Sequence, residues 1–282
     1  MVQAANVVRL KPRTIEAFDD YIRNAEQAME PSLHGRSAFL WSELNSQRAQ
    51  QVRQGAIVAQ LWAGDWPIKV PNGLIHDWVG TVFAPTVSIE QVLAMVQNYD
   101  NHKSIYKPEV MESKLISHEG NDFKIFLRLL KKKIITVVLD TDHDVHYSPV
   151  EAKRWFCRSY TTRIAEVEDA GTAKERVLEP DTGYGFLWRL YSYWKFDEAG
   201  GATASQPPAG ESAPGEAERP SGASGSDGTY IECRAISLTR DIPLGLGWII
   251  EPIIRKLPQE SLIQTLENTR KALVASSGAS RA

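Results

Sequence analysis

The sequence predicts an α+β fold in which a curved antiparallel sheet wraps around a long C-terminal helix, with a helical arm at the N-terminus. Three observations predict it. The chain ends in an apolar-faced helical segment, six strand-like runs precede that segment, and a capped short helix separates those six from an earlier strand. Residues 239–274 hold the long, interrupted helix. After Pro258, a residue favoured in a first helical turn, the apolar Leu262, Ile263, Leu266 and Leu273 recur at helical spacing. Arg255, Lys256, Glu260, Glu267, Arg270 and Lys271 take much of the opposite side. Before Pro258, Trp248, Ile249, Ile250, Ile253 and Ile254 are apolar nearly all round and require cover from other elements.

The totals bound the class. A chain of 282 residues can bury an ordinary core. With 32 Lys+Arg against 35 Asp+Glu it has no global field to draw nucleic acid or an anionic membrane. No apolar run approaches the roughly 20 residues needed to span a bilayer. The opening MVQAANVVRLKPR lacks an apolar h-region, so no secretory signal is expected, which suits a cytoplasmic protein or an exported mature form. Cys157 and Cys233 are too few for a disulfide framework and are expected as buried free thiols.

Residues 1–72 read as an N-terminal helical arm. A helix is expected over residues 14–28 with Thr14 as N-cap and Ile15, Phe18, Ile22 and Ala25 on one face. A second, polar helix lies around residues 43–53. The arm is expected to pack on the main domain through Trp41, Trp62 and Trp66. The main domain spans residues 73–276. A strand over residues 74–84 ends at Pro85, and Ser88 with Gln91 forms a capping box for a helix bearing Ile89, Val92, Leu93 and Val96. Strands follow at residues 110–118, 123–130, 134–146, 154–167, 186–196 and 230–240. Their short connections make neighbouring antiparallel pairs the default. Residues 199–228 are almost wholly Gly, Ala, Ser, Pro and Glu, so they cannot repay their ordering entropy and read as a disordered insertion.

This order resembles the helix-grip fold of START-like proteins, which include lipid-transfer domains and polyketide cyclases/aromatases. The residues that carry the resemblance are IHDWVGTVFAP, SIEQVLAMVQNYDNHKSIYKPEV, the pair RWFCRSYTTRIAEVED and GFLWRLYSYWKFDE, and YIECRAISLTRDIPLGLGWIIEPIIRKLP. The resemblance implies a seven-stranded curved sheet around the last helix, enclosing a cavity for an apolar ligand.

Candidate site residues follow from strand alternation. Trp188, Leu190 and Trp194 share the more apolar face of their strand and are expected to line the cavity, with Trp248; the competing reading is that they fill the core. Arg158, Tyr160, Arg189, Glu232 and Arg234 form a polar ladder across three strands. It is expected on the outer, solvated face, since burying several charges is costly unless each is paired. Turned inward, it would instead bind a carboxylate or phosphate.

In LDTDHDVHY, Asp142, Asp144 and His146 share one face of a strand, and Thr141 and His143 the other. A solvated strand end is the favoured reading there, and no metal site is expected because no second ligand group stands at a defined spacing. Lys131, Lys132 and Lys133 read as a charged hairpin turn, with transient membrane-surface contact as the alternative. His76, Asp77, Asp100 and His102 are isolated polar residues near the expected cavity mouth. No phosphate loop, serine elbow or cysteine metal site is present, and neither a catalytic residue nor a cofactor is assigned. The leading expectation is binding, or transport, of a small apolar or amphipathic molecule. The alternatives are a cyclase- or hydrolase-like enzyme and an interaction module without ligand.

Overall fold

The computed structural model describes residues 7–62, 66–132, 136–199, 227–241 and 247–279, and within the last of these the side chains of 256–277. The elements in order are β1 (Val8–Arg9), α1 (Pro12–Leu33), α2 (Ser46–Arg53), β2 (Val58–Leu61), β3 (Ile68–Val70), β4 (Gly73–Pro85), α3 (Ile89–Val96) and α4 (His102–Ile105). Then come β5 (Val110–Glu119), β6 (Asp122–Lys132), β7 (Thr136–Glu151), β8 (Arg154–Glu168), β9 (Arg176–Val177), β10 (Thr182–Gly183), β11 (Arg189–Ala199), β12 (Gly228–Arg240) and α5 (Gly247–Ala279).

One antiparallel sheet carries the fold, in the order β2-β4-β12-β11-β8-β7-β6-β5, with β3 also on β4 and β9 on β8. It has ten strands, not seven, because short segments extend the seven long ones. Runs of two to four residues are too short to show a period. The long α5 lies on one face, which is the helix-grip arrangement. Leu262, Leu266 and Leu273 of α5 bury against Trp78, Val82, Cys157, Phe196, Ile231 and Cys233, with Val92 and Val96 of α3 closing the cluster. The approach is close at Gly80, where an added Cβ would lie 2.9 Å from Leu266 Cδ1. The opposite face is covered by α1, whose Phe18, Ile22, Ala25 and Met29 pack with Ile75, Phe156, Trp188, Tyr193, Ile236 and Leu238.

Local chemistry sets the helix ends. The Ser88–Gln91 capping box is formed in both directions. Thr14 is not the N-cap of α1. Pro12 starts that helix at its first position, where a missing N–H costs nothing, and the Thr14 hydroxyl instead donates to the Pro71 carbonyl at 2.6 Å. The polar helix begins later than expected, at Ser46, because the Asn45 side chain caps it by accepting from Arg48 N–H. Pro258 lies inside α5 rather than in its first turn; packing on the sheet overrides the local preference. Of the expected insertion at residues 199–228, residues 200–226 lie outside the described residues.

Candidate functional site

The concave face, which looks toward α5, holds the candidate site. The described length of α5 runs along β4, β2 and β12. On the neighbouring strands Leu190, Ser192 and Trp194 of β11, and Trp155 and Ser159 of β8, keep part of their surface accessible on this side. Leu115 and Leu127 add further partly covered apolar surface. Together these residues leave partly accessible aromatic and aliphatic surface around a short polar row.

That row is built by strand register. Ser159 and Ser192 are directly opposed between β8 and β11. Trp194 Nε1–H donates to Ser192 Oγ at 3.2 Å. Ser159 Oγ lies 3.3 Å from His143 Nδ1, and His143 Nε2 lies 2.9 Å from Thr141 Oγ1. A bulge between Asp142 and His143 disturbs the β7–β8 register at this point. His143 is only 6% exposed, and burial pushes its pKa down to about 4, so the ring is neutral at neutral pH.

A pH effect follows. The unfolded imidazole takes a proton near 6.5 that the folded one refuses down to about 4, so this stability is present above pH 6.5 and lost as pH falls toward 4. Between pH 7 and 5 the stability of the wild type should fall by about 2 kcal/mol more than that of His143→Gln, measured by urea unfolding. Equal slopes would contradict the buried neutral ring.

Several other polar groups on this face are paired. Tyr99 and Tyr147 share a hydroxyl–hydroxyl hydrogen bond of 2.9 Å, and Tyr106 bonds Thr269 Oγ1 of α5 at 3.1 Å. Burial raises all three phenols, Tyr106 to about 12, and also raises the Cys157 and Cys233 thiols. Both cysteines are free and buried.

The sequence-predicted residues fall on both faces. Trp194 is on the concave face with Phe196, and Leu190 shares its parity. Trp188 does not join them: it precedes β11 and packs in the cluster under α1. Trp248 lies in α5, and its side chain is outside the described residues. Lys131 turns inward to donate to Ser261 Oγ of α5 at 3.0 Å, and burial lowers its pKa. Lys132 is exposed and Lys133 is outside the described residues.

The polar ladder is on the convex face, but it is not a solvated one. Residues of the arm cover it, so Glu232 and Arg234 are each only 4% exposed. Arg234 makes a two-pronged ion pair with Asp77, at 2.9 and 2.6 Å, and stacks on the Trp62 ring with Cζ 3.9 Å from its centroid. Tyr21 donates to the same carboxylate at 2.7 Å. Glu232 Oε2 accepts from Trp41 N–H at 2.7 Å and Thr81 Oγ1 at 3.0 Å, while burial raises its pKa. Beside it Lys195 donates to Ser32 Oγ and the Phe39 carbonyl, both at 2.7 Å.

Tyr160 is opposite Tyr191, and its hydroxyl shares Glu26 with that of Tyr193. Arg189 stands apart at the start of β11, paired with Asp181 at 2.7 Å, and Arg158 is exposed. Hydrogen bonds to charged groups and the Arg234–Trp62 stack tie the arm to the sheet where the sequence suggested solvent.

The Asp/His stretch lies within β7, which runs on to Glu151, so it is no strand end. Pro149 is accommodated at an irregularity near the hairpin. Asp140 pairs with Arg128, Asp142 with Arg163, Asp144 with Lys124 and His146 with Asp122, each an ordinary cross-strand pair. His76, Asp77, Asp100 and His102 are not brought together. His76 lies between Trp66 and Thr239, Asp77 holds Arg234, Asp100 accepts from Leu115 N–H, and His102 bonds the Val96 carbonyl. Sequence reasoning placed Thr141 and His143 on one face but missed Ser159 and Ser192, which lie far apart in the chain and meet it only through register.

No protein-family model matches the chain, and no curated protein matches it. Solved structures do resemble it. The STAR-related lipid transfer protein from Xanthomonas axonopodis is 12% identical, with 76% of this chain and 98% of that one covered and a TM-score of 0.43. Human STARD10 is 10% identical, with 80% of each chain covered and a TM-score of 0.39. The Zhui aromatase/cyclase from a Streptomyces is 8% identical, with 71% and 93% covered and a TM-score of 0.40. The START-like group named from the sequence is the group these structures come from, and the likeness is one of fold.

Proposed function

We propose that the protein binds a small amphipathic molecule in a recess between α5 and the inner faces of β11, β8 and β7. The observation that carries this is the partly accessible aromatic and aliphatic surface of Trp155, Leu190 and Trp194 around an uncharged polar row, Ser159 and Ser192. Apolar walls supply affinity, and a few placed polar groups fix orientation. In this reading Leu190 and Trp194 line the site and Trp188 does not. Residues 12–41 serve as a brace on the convex face, while β2 and β3, from the same N-terminal stretch, extend the sheet itself.

Binding is preferred to a cyclase- or hydrolase-like reaction because the polar groups with accessible surface here, Ser159 and Ser192, are uncharged hydroxyls. Burial moves the His143 ring down and the Tyr99, Tyr106, Tyr147, Cys157 and Cys233 groups up, all away from neutrality. General acid–base catalysis works best with a pKa near the working pH. No helix among the described residues is long and apolar enough to cross a membrane. The test is a titration of protein carrying nitrogen-15 in its indole rings with apolar probes, followed at the Trp194 Nε1–H resonance.

A further inference from the structure

The hydrogen bonds around Ser159 and Ser192 run in one direction, and donor–acceptor bookkeeping fixes it. The Trp194 indole can only donate, so Ser192 Oγ accepts from it and keeps its own proton free. At the other end, Thr141 gives its single hydroxyl proton to the Leu127 carbonyl at 2.9 Å. Its oxygen therefore accepts from His143 Nε2–H, which leaves Nδ1 as the bare nitrogen. That nitrogen takes the proton of Ser159, so Ser159 Oγ offers only lone pairs to the recess. The chain of donors thus reads Trp194 to Ser192, then Ser159 to His143 to Thr141 to Leu127, with one link between the two serines left open.

The two serines are directly opposed in register, and among the described residues no hydrogen bond joins their hydroxyls. Opposed side chains place their Cβ atoms about 4.5–5.5 Å apart. Two hydroxyl oxygens bridged by one oxygen lie about 4.5 Å apart when the bridge is bent at the tetrahedral angle and about 5.5 Å apart when it is straight, a separation that hydroxyls on opposed Cβ atoms can adopt.

We propose that the bound molecule carries a hydroxyl group, seated between Ser192 and Ser159. Its oxygen accepts the Ser192 proton and its proton goes to Ser159 Oγ, which completes the donor chain from Trp194 to the Leu127 carbonyl. Three other head groups each fail one end of the link. A carboxylate only accepts and meets the Ser159 lone pairs. An ammonium only donates and meets the Ser192 proton. An ester accepts from Ser192 but leaves Ser159 without a donor. Reversing Ser159 to suit an acceptor would strip His143 Nδ1 of its partner in a buried site, which is costly. Lys131 on the same face is a competing seat for an anion, although it already donates to Ser261, so an acid is an essential comparison.

This inference rests on the binding reading, and the experiment separates the two. Affinities for 1-decanol, methyl decanoate, decanoate and decyltrimethylammonium are measured by tryptophan fluorescence on wild type, Ser159→Ala, Ser192→Ala and Ser159→Thr, with thermal melts to establish folding. The expected result is 1-decanol tighter than the other three by about ten-fold, with that advantage lost in both alanine variants and restored in Ser159→Thr. If all four bind alike, or if decanoate or the ammonium binds best, the hydroxyl seat is wrong while the binding reading stands. If no probe binds the folded wild type, both are overturned.

Discussion

Asp77→Ala should destabilise the protein by about 3–5 kcal/mol, read as a drop in the urea midpoint, since it strands the buried Arg234 guanidinium. The side chains of this pair are 4% and 1% exposed, so water cannot replace the lost carboxylate. Among the described residues Arg234 Nη1 already has no hydrogen-bond partner, and Tyr21 would lose its acceptor as well. The double replacement Asp77→Leu with Arg234→Met should recover most of the loss, because removing both charges also removes their desolvation cost. A single Asp77→Ala variant within about 0.5 kcal/mol of wild type would show that the pair is solvated and the arm loosely held.

Leu266→Ala should cost about 2–5 kcal/mol by equilibrium unfolding. Leu266 is fully buried, and its Cδ1 sits against Gly80 at the point where α5 crosses β4. Gly80→Ala alone should cost about 1–3 kcal/mol by forcing that leucine and the helix outward. The Val58 carbonyl, 3.2 Å from where the new methyl would sit, cannot swing away as a side-chain tip can. In the double variant part of the penalty should vanish, since the alanine at 266 vacates the space the new methyl needs. Strictly additive effects would mean that α5 and β4 do not meet here.

Much of the fold was legible because its signals are local. Ser88 and Gln91 announce α3 within one helical turn, and apolar runs bounded by turn residues mark the seven long strands. The short β2, β3, β9 and β10 were not legible, since pairing to a neighbour defines them rather than their own pattern. The fate of Glu232 and Arg234 was equally hidden. Alternation placed them on one face, but what makes that face dry is the arm and Asp77, 157 residues before Arg234.

The candidate site shows the same division. The shared face of Thr141 and His143 and the side of Trp194 could be read from strand parity. The meeting of His143 with Ser159, and of Ser159 with Ser192, depends on a bulge and on register between strands that no single run encodes. Trp188 misled because it sits just before β11, where alternation no longer governs its direction.

A ligand on the concave face would touch the Trp194 indole, which reports on it directly. Nitrogen-15 indole spectra, assigned with Trp194→Phe, would be recorded during titration with 1-decanol and methyl decanoate. The Trp194 Nε1–H resonance should shift saturably, while those of Trp41 and Trp62 on the convex face hold still. A bound probe that moves Trp41 or Trp62 and leaves Trp194 unchanged would contradict binding on the concave face.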